Sequence, residues 1–343
     1  MKVGIIGASG YAGSELLRLL LMHKNVEVTS ISSKNYLGKS IVDLYPSFYQ
    51  LCDLHFETDE EVLKKCDIIF VSLPHGHSEK YGKYCFEYGK KFIDLGADFR
   101  LDQQSDYKEW YQLDYQYEDI HQYQVYGLTE VNREKIKEAS LIGNPGCYPT
   151  SITLGLYPLL KEKMNKNNHI IIDSKSGTTG AGKSLTEDTH YPRCYSSFHP
   201  YKIATHRHTP EIQQELSKIN NHHITVTFTP HLLPIHRGIL STIYVDLKED
   251  ISFEDVYQTY INTYKNEYFV RVLPKEKTAD LKYVQYSNFC DISLHYNPTH
   301  HQLVIISVID NMIKGAAGQA IQNMNVMCGF KESEGLEYIG PSF

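Results

Sequence analysis

No run of about eighteen apolar residues occurs in this 343-residue chain, so no membrane-spanning helix is expected. The opening Met1-Lys2-Val3-Gly4-Ile5-Ile6-Gly7 lacks the long apolar stretch and small-residue cleavage site of a secretory signal. Positive charge is in deficit: 34 Lys and Arg against 41 Asp and Glu leave a formal net charge of −7. That removes the simplest electrostatic basis for nucleic-acid binding, and no polybasic membrane patch is present. No C-x-x-C pair exists among the seven cysteines, at 52, 66, 85, 147, 194, 290 and 328. An odd, dispersed set argues against a disulfide framework or a zinc ribbon and for reduced thiols in the cytoplasm. Internal repeats and low-complexity tracts are also missing. What remains is an ordinary globular composition, 41% apolar and 22% charged, at a length of about two domains.

Lys2 to Ile6 is a short apolar run, long enough for a buried parallel strand. It enters Gly7-Ala8-Ser9-Gly10-Tyr11-Ala12-Gly13 and then Ser14 to Leu21, whose apolar periodicity is helical. Strand, glycine turn and helix form the setting of a phosphate-binding loop. Glycine lets the backbone approach a pyrophosphate, and the N–H groups of the helix start face its charge. Gly7, Ser9, Gly10, Tyr11, Ala12 and Gly13 are therefore candidate cofactor contacts. Val26 to Ile31 reads as the second strand. It ends in Ser32-Ser33-Lys34 rather than in the carboxylate that would bind an NAD ribose. Two hydroxyls and an ammonium suit a 2′-phosphate, which favours NADP(H). Cys66 to Gly76 and Lys91 to Asp98 repeat the strand-then-loop form, with a crossover helix between them. Ligands of open α/β sheets bind at the carboxyl edge, so Leu73 and Pro74 are further cofactor candidates. The alternation predicts a parallel, doubly wound sheet. Residues 101–126, rich in Asp, Gln and Tyr without a clear period, read as an irregular surface excursion.

One cysteine differs from the rest. Leu141-Ile142-Gly143 runs into Asn144-Pro145-Gly146-Cys147, and Pro149 suits a first helical turn. Cys147 thus falls at a helix N-terminus, where free N–H groups and the dipole favour a thiolate. Such a thiolate is a nucleophile, and the same amides can hold an oxyanion. His206-Arg207-His208 precede Thr209-Pro210-Glu211, a helix-start signal, and either imidazole could move protons near neutral pH. An extended stretch would turn the two rings opposite ways, so only one is expected to reach Cys147. Glu211 is spaced to orient an imidazole, and Tyr201 is a further candidate for the relay. The paired histidines 75/77, 222/223 and 300/301 lack a third ligand at zinc-like spacing, so no metal site is expected. The loop Ser174 to Lys183 offers hydroxyls, glycine amides and lysines to a phosphate or a nicotinamide. Ser176 and Gly177 are candidates on the cofactor side, and Gly180, Ala181, Gly182, Lys183 and Asn144 on the substrate side. Arg100, Arg207 and Arg237 could each bind a carboxylate through a fork of donors. Val226–Phe228, 239–245 and 303–309 are β-rich with few helices between the first two, which predicts a mixed sheet in a second domain. Its open face is expected to be covered by another subunit.

The glycine loop, Gly143-Asn144-Pro145-Gly146-Cys147-Tyr148-Pro149-Thr150, Ser176-Gly177-Thr178-Thr179-Gly180-Ala181-Gly182 and His206-Arg207-His208-Thr209-Pro210-Glu211-Ile212 stand in that order. Phe228-Thr229-Pro230-His231-Leu232, Arg237-Gly238-Ile239 and the run Asp310 to Ala320 follow. Together they resemble the N-acetyl-gamma-glutamyl-phosphate reductase family of arginine biosynthesis across nearly the whole chain. The resemblance implies NADPH-dependent reduction of an acyl phosphate through a cysteine thioester, releasing phosphate and N-acetylglutamate semialdehyde. It also implies a Rossmann-type domain, 1–146, completed by a C-terminal helix, 311–343, with Asn311 near the nicotinamide. Residues 147–310 would form the α+β catalytic and oligomerisation domain of the semialdehyde-dehydrogenase type, in a homodimer or homotetramer. Within the block, His206 ranks first as the partner of Cys147 and His208 second. Related enzymes acting on aspartyl phosphate or carrier-linked aminoadipyl phosphate are the alternatives.

Overall fold

The computed structural model describes residues 1–341 and divides into two compact units. One comprises Met1–Pro145 with Ala316–Glu337, the other Gly146–Gly315 with the segment from Tyr338. No helix among the described residues is long and apolar enough to cross a membrane.

The first unit is built on β1 (Lys2–Ile6), β2 (Glu27–Ser32), β3 (Phe56–Glu57), β4 (Ile68–Val71), β5 (Lys91–Asp94), β6 (Gln124–Tyr126) and β7 (Leu141–Gly143). They hydrogen-bond in the order β3-β2-β1-β4-β5-β7-β6, every pair parallel. All four side chains of β4 are buried, as are the last four residues of β1, which explains why these strands read as continuous apolar runs. The chain winds outward from β1 on both sides, and the direction reverses between β1 and β4. That reversal is the switch point at which doubly wound sheets bind ligands. The helices Tyr11–Leu20, Asp59–Lys65, Glu79–Glu87 and Thr129–Glu138 connect the strands.

Residues 101–126 are not an irregular excursion. They form the helices Gln104–Tyr111 and Glu118–His121 and then the edge strand β6, with Leu101, Tyr107, Tyr111 and Ile120 buried. The core here is aromatic: Tyr107 stacks on Tyr111 at 5.1 Å between centroids, and Tyr115 on His121 at 3.6 Å. Tyrosine counts as half polar in a periodicity reading, yet its ring supplies apolar area while its hydroxyl finds a hydrogen bond. The period is hidden for that reason.

The second unit holds β8 (His169–Ser176), β9 (His199–Pro200), β10 (Thr225–Leu232), β11 (Ile239–Asp246), β12 (Val270–Val272), β13 (Cys290–Asn297) and β14 (Gln302–Ile309). The order is β12-β13-β14-β11-β8-β10-β9, and the sheet is mixed, as the β-rich segments predict. β8 pairs parallel with β10, while β11 pairs antiparallel with both β8 and β14. Strict alternation along β11 buries Ile239, Ser241, Ile243 and Val245 on one face. The helix Cys147–Lys161 covers that face: Ser151 Oγ donates to Ser241 Oγ at 3.1 Å, and a Cβ on Gly155 would lie 3.1 Å from Ile243. The helix Phe253–Tyr264 packs behind it, with Tyr260 and Tyr264 donating to the carbonyls of Gly155 and Leu154.

Candidate active site

The glycine loop in the first unit has a separate reason for each glycine. Gly7 has φ +86°, and a Cβ there would lie 2.4 Å from the Ser72 carbonyl oxygen. A Cβ on Gly13 would meet Gly7 O at 2.4 Å, so the helix can approach the loop only without one. Gly10 differs, because its nearest neighbour would be 3.6 Å away. The fold does not require a bare backbone there, and the space in front of it suits a close-approaching phosphate. Gly10 is also the N-cap of Tyr11–Leu20 and provides no side-chain cap, so the helix start remains open to an anion. The residues present therefore fit a dinucleotide.

At the end of β2, Ser33 Oγ pairs with Ser9 Oγ at 2.7 Å and Lys34 is exposed. Ser32, expected beside a 2′-phosphate, is instead 1% exposed and its hydroxyl donates to Asp59 at 2.5 Å. Leu73 and Pro74 lie in the loop that follows β4. Arg100, expected to face a substrate carboxylate, is buried and donates to the carbonyls of Asn144 and Leu95, each at 2.8 Å. The Asn144 amide donates to Ala316 O at 3.1 Å and accepts from Asn323 Nδ2 at 3.1 Å. Both side chains thus brace the turn that leads to the cysteine.

In the second unit Cys147 is the first residue of its helix, half-buried, with Gly146 as N-cap. Two glycines admit its neighbours. A Cβ on Gly315 would lie 2.8 Å from Cys147 Cβ, and a Cβ on Gly146 would lie 2.5 Å from His208 Nε2. The His208 imidazole therefore rests against the backbone just ahead of the sulfur. His206 and His208 do not face opposite ways, for their ring centroids are 4.9 Å apart and both pack on Tyr148. The reason is local. Arg207 has φ −61° and ψ −15°, so the chain is already helical and the strand period does not apply.

Burial, reinforced by the Lys202 and Arg207 cations, pushes the His206 imidazole down to about 3, so it is neutral at physiological pH. Its Nδ1 accepts the His208 backbone N–H at 3.1 Å, which leaves the ring proton on Nε2. Tyr201 stands edge-on to His206 at 5.6 Å, and its hydroxyl pairs with Tyr148 at 3.1 Å. Burial holds both phenols above their ordinary range, Tyr201 at about 12, so neither is a phenolate base at neutral pH. Glu211 is buried, and its Oε1 accepts the Gly146 N–H at 2.8 Å, across the gap between two helix starts. That bond secures the residue before the nucleophile. Lys202, missed by the sequence reading, carries no signal beyond proximity to the histidine block.

The Asn311 amide locks two loops together: Nδ2 donates to Thr179 Oγ1 at 3.0 Å, and Oδ1 accepts from Gly238 N at 2.6 Å. Ser176 Oγ donates to Gly177 O, and Gly177 N to Gly238 O. Gly180, Ala181, Gly182 and Lys183 are exposed beyond them. Arg237 reaches the fully buried Asp310 at 3.5 Å and lies over the Tyr286 ring, whereas Arg207 stands half-buried at the N-cap of His208–Asn220.

A doubly wound nucleotide-binding unit, with a second unit that opens on a helix-terminal cysteine beside an imidazole, defines an NAD(P)-dependent oxidoreductase of the semialdehyde-dehydrogenase class. The families described as "Semialdehyde dehydrogenase, NAD binding domain" and "Semialdehyde dehydrogenase, dimerisation domain" match residues 2–139 and 147–311. The chain is 53% identical to the N-acetyl-gamma-glutamyl-phosphate reductase of Clostridium beijerinckii over 343 residues, 100% of each chain. It is 52% identical to that of Brachyspira hyodysenteriae, again over 100% of each. The chain belongs to the N-acetyl-gamma-glutamyl-phosphate reductase family. Its fold is that of aspartate semialdehyde dehydrogenase II from Vibrio cholerae, with TM-score 0.74, 18% identity, and coverage of 96% of this chain and 98% of that one. The Candida albicans aspartate semialdehyde dehydrogenase with NADP gives TM-score 0.68 at 16% identity, covering 95% and 98%.

Proposed function

We propose that this chain reduces N-acetyl-gamma-glutamyl phosphate to N-acetylglutamate semialdehyde and phosphate, with NADPH as reductant, in arginine biosynthesis. The observation that carries the reading is Cys147 at the first turn of its helix with His208 Nε2 against Gly146. Cys147 Sγ attacks the acyl carbon and the C–O bond to phosphate breaks, leaving a thioester. The helix-start N–H groups stabilise the oxyanion of that addition. Gly7, Ser9–Gly13, Ser33, Lys34, Leu73 and Pro74 would hold NADPH, which would supply the hydride equivalent that takes the thioester to the aldehyde level. His208 gives a proton to the developing oxygen and recovers it as the aldehyde leaves and the thiolate is restored. His206, neutral and bound through Nδ1, orients the start of the His208 helix. Arg207 and Arg237 provide the charge for the substrate carboxylate and phosphate. Asn311, Ser176 and Gly177 shape the floor of that region.

The test is phosphate-dependent reduction of NADP by N-acetylglutamate semialdehyde, run beside aspartate semialdehyde as competitor. Activity is expected with the first aldehyde, and His208→Asn should lose about 10²–10⁴-fold in kcat, more than His206→Asn. Equal losses for the two variants would remove His208 from the role, and turnover of the aspartyl compound alone would overturn the substrate.

The enzyme works as a homo-oligomer in the reducing cytoplasm, to which seven free thiols are suited. The support lies in the outer face of the second sheet. Ile171 is 50% exposed there and in register with Tyr244, which pairs in turn with Val304, and the three form an apolar row. A second copy of this face is its natural cover. Sedimentation is expected to give at least twice the monomer mass. Ile171→Asp, which would put an unpaired charge into that contact, should weaken association at least about 100-fold. A monomeric wild type at micromolar concentration would refute the oligomer.

A further inference from the structure

Just past β5 the chain reads Asp94-Leu95-Gly96-Ala97-Asp98-Phe99-Arg100, two carboxylates and a guanidinium in seven residues. Both acids are 0% exposed and Arg100 is 8% exposed. Charges are removed from water at high cost unless hydrogen bonds replace the hydration. Arg100 is matched by backbone carbonyls, as described. Asp94 accepts from Gly96 N at 2.9 Å, and burial together with the facing Asp98 charge pushes its carboxyl well above the usual range. The Asp98 carboxylate is aimed at one place. Oδ1 accepts from Gly76 N at 2.7 Å and from Tyr107 OH at 2.8 Å, and Oδ2 accepts from Ser78 N at 2.8 Å. The two amides belong to the loop after β4, at the N-terminus of Glu79–Glu87.

The loop is held from the other side as well. Gly76 has φ +82°, and Leu113 packs where its Cβ would be, at 2.7 Å. In a sheet ordered β2-β1-β4-β5 the phosphate loop follows β1, and the two halves of a dinucleotide lie on either side of it. The half over β2 would meet Ser33 and Lys34, and the other half would lie over the ends of β4 and β5. We propose that Asp98 is a positioning residue for the nicotinamide half of NADP(H), acting through the Leu73–Ser78 loop whose backbone it grips. This rests on the nucleotide-site reading above.

An amide at position 98 has the shape of the carboxylate but only one oxygen. In Asp98→Asn an NH₂ group must therefore face either Gly76 N and the Tyr107 hydroxyl, or Ser78 N. At least one loop bond is lost. Tyr107→Phe removes only the phenol and leaves both loop bonds in place.

The experiment is fluorescence titration of the full-length chain with NADPH and with 2′-phospho-ADP-ribose, which lacks the nicotinamide. Asp98→Asn is expected to weaken NADPH about 10-fold and the fragment less than about 2-fold, with Tyr107→Phe within about 2-fold for both. Unchanged NADPH affinity in Asp98→Asn, or equal weakening of both ligands, overturns the proposal. Absence of NADPH binding by the wild type would instead take down the nucleotide site itself. Hydrogen exchange in the wild type gives a reading independent of whether the variant folds. The Gly76 and Ser78 amides should exchange at least about 100-fold more slowly than exposed loop amides, and free exchange at both also overturns it.

Discussion

Cys147→Ala is expected to lower turnover by at least about 10⁴-fold while NADPH binds within about 2-fold of the wild type. Loss of the attacking atom removes the covalent route altogether, and the surrounding amides and imidazole have no second nucleophile to serve. The variant should fold normally, because the contact that Gly315 makes is with Cys147 Cβ, which alanine retains. The glycine-loop contacts to the cofactor are made within the other unit and do not depend on the sulfur. Two measurements check this: steady-state turnover with NADPH titration alongside, and intact mass of wild type mixed with acyl phosphate before reductant is added. The wild type should gain one acyl group, on Cys147, and the variant none. Turnover within about 10-fold of wild type, or an acyl group on another residue, would remove Cys147 from the mechanism.

Gly143→Ala should be strongly destabilising, by at least about 3 kcal/mol. A Cβ at that position would lie 1.8 Å from Phe99 O and 2.5 Å from Phe99 C, both backbone atoms that no rotamer change can move. The strand cannot retreat, because Gly127 N donates to Gly143 O at 2.9 Å and Asn144 N to Asp94 O at 2.8 Å. Gly10→Ala is the informative contrast. Its Cβ meets nothing closer than 3.6 Å and its φ of −79° is ordinary for alanine, so stability should change by less than about 0.5 kcal/mol while NADPH affinity falls. Urea unfolding of the three proteins separates the cases. Equal midpoints for Gly143→Ala and Gly10→Ala would mean that the strand yields where the geometry says it is pinned.

The first strand, the glycine turn and the helix at Tyr11 were legible because each has a local cause: apolar run, backbone freedom, periodicity. Cys147 was legible too, since a helix start after Asn144-Pro145-Gly146 is written in consecutive residues. Segment 101–126 was not, because its core is made of tyrosines such as Tyr107 and Tyr111, which are buried yet count as half polar in a periodicity reading. The relation between His206 and His208 was misread from a strand period when a single helical residue, Arg207, turns both rings to one side. Ser32, Arg100 and Glu211 went to partners that spacing cannot reveal: Asp59, the Asn144 carbonyl and the Gly146 amide lie 27, 44 and 65 residues away.

Local chemistry alone determined that this chain binds a dinucleotide and holds a cysteine at the start of a helix, since glycine turns and helix caps act over a few residues. Only the tertiary structure decided which imidazole rests against the Gly146 backbone, which carboxylate grips the loop after β4 and which arginine braces a turn. Those choices are made by burial, where a charged or polar group must find whatever donor or acceptor the fold brings within 3 Å, irrespective of its distance along the chain.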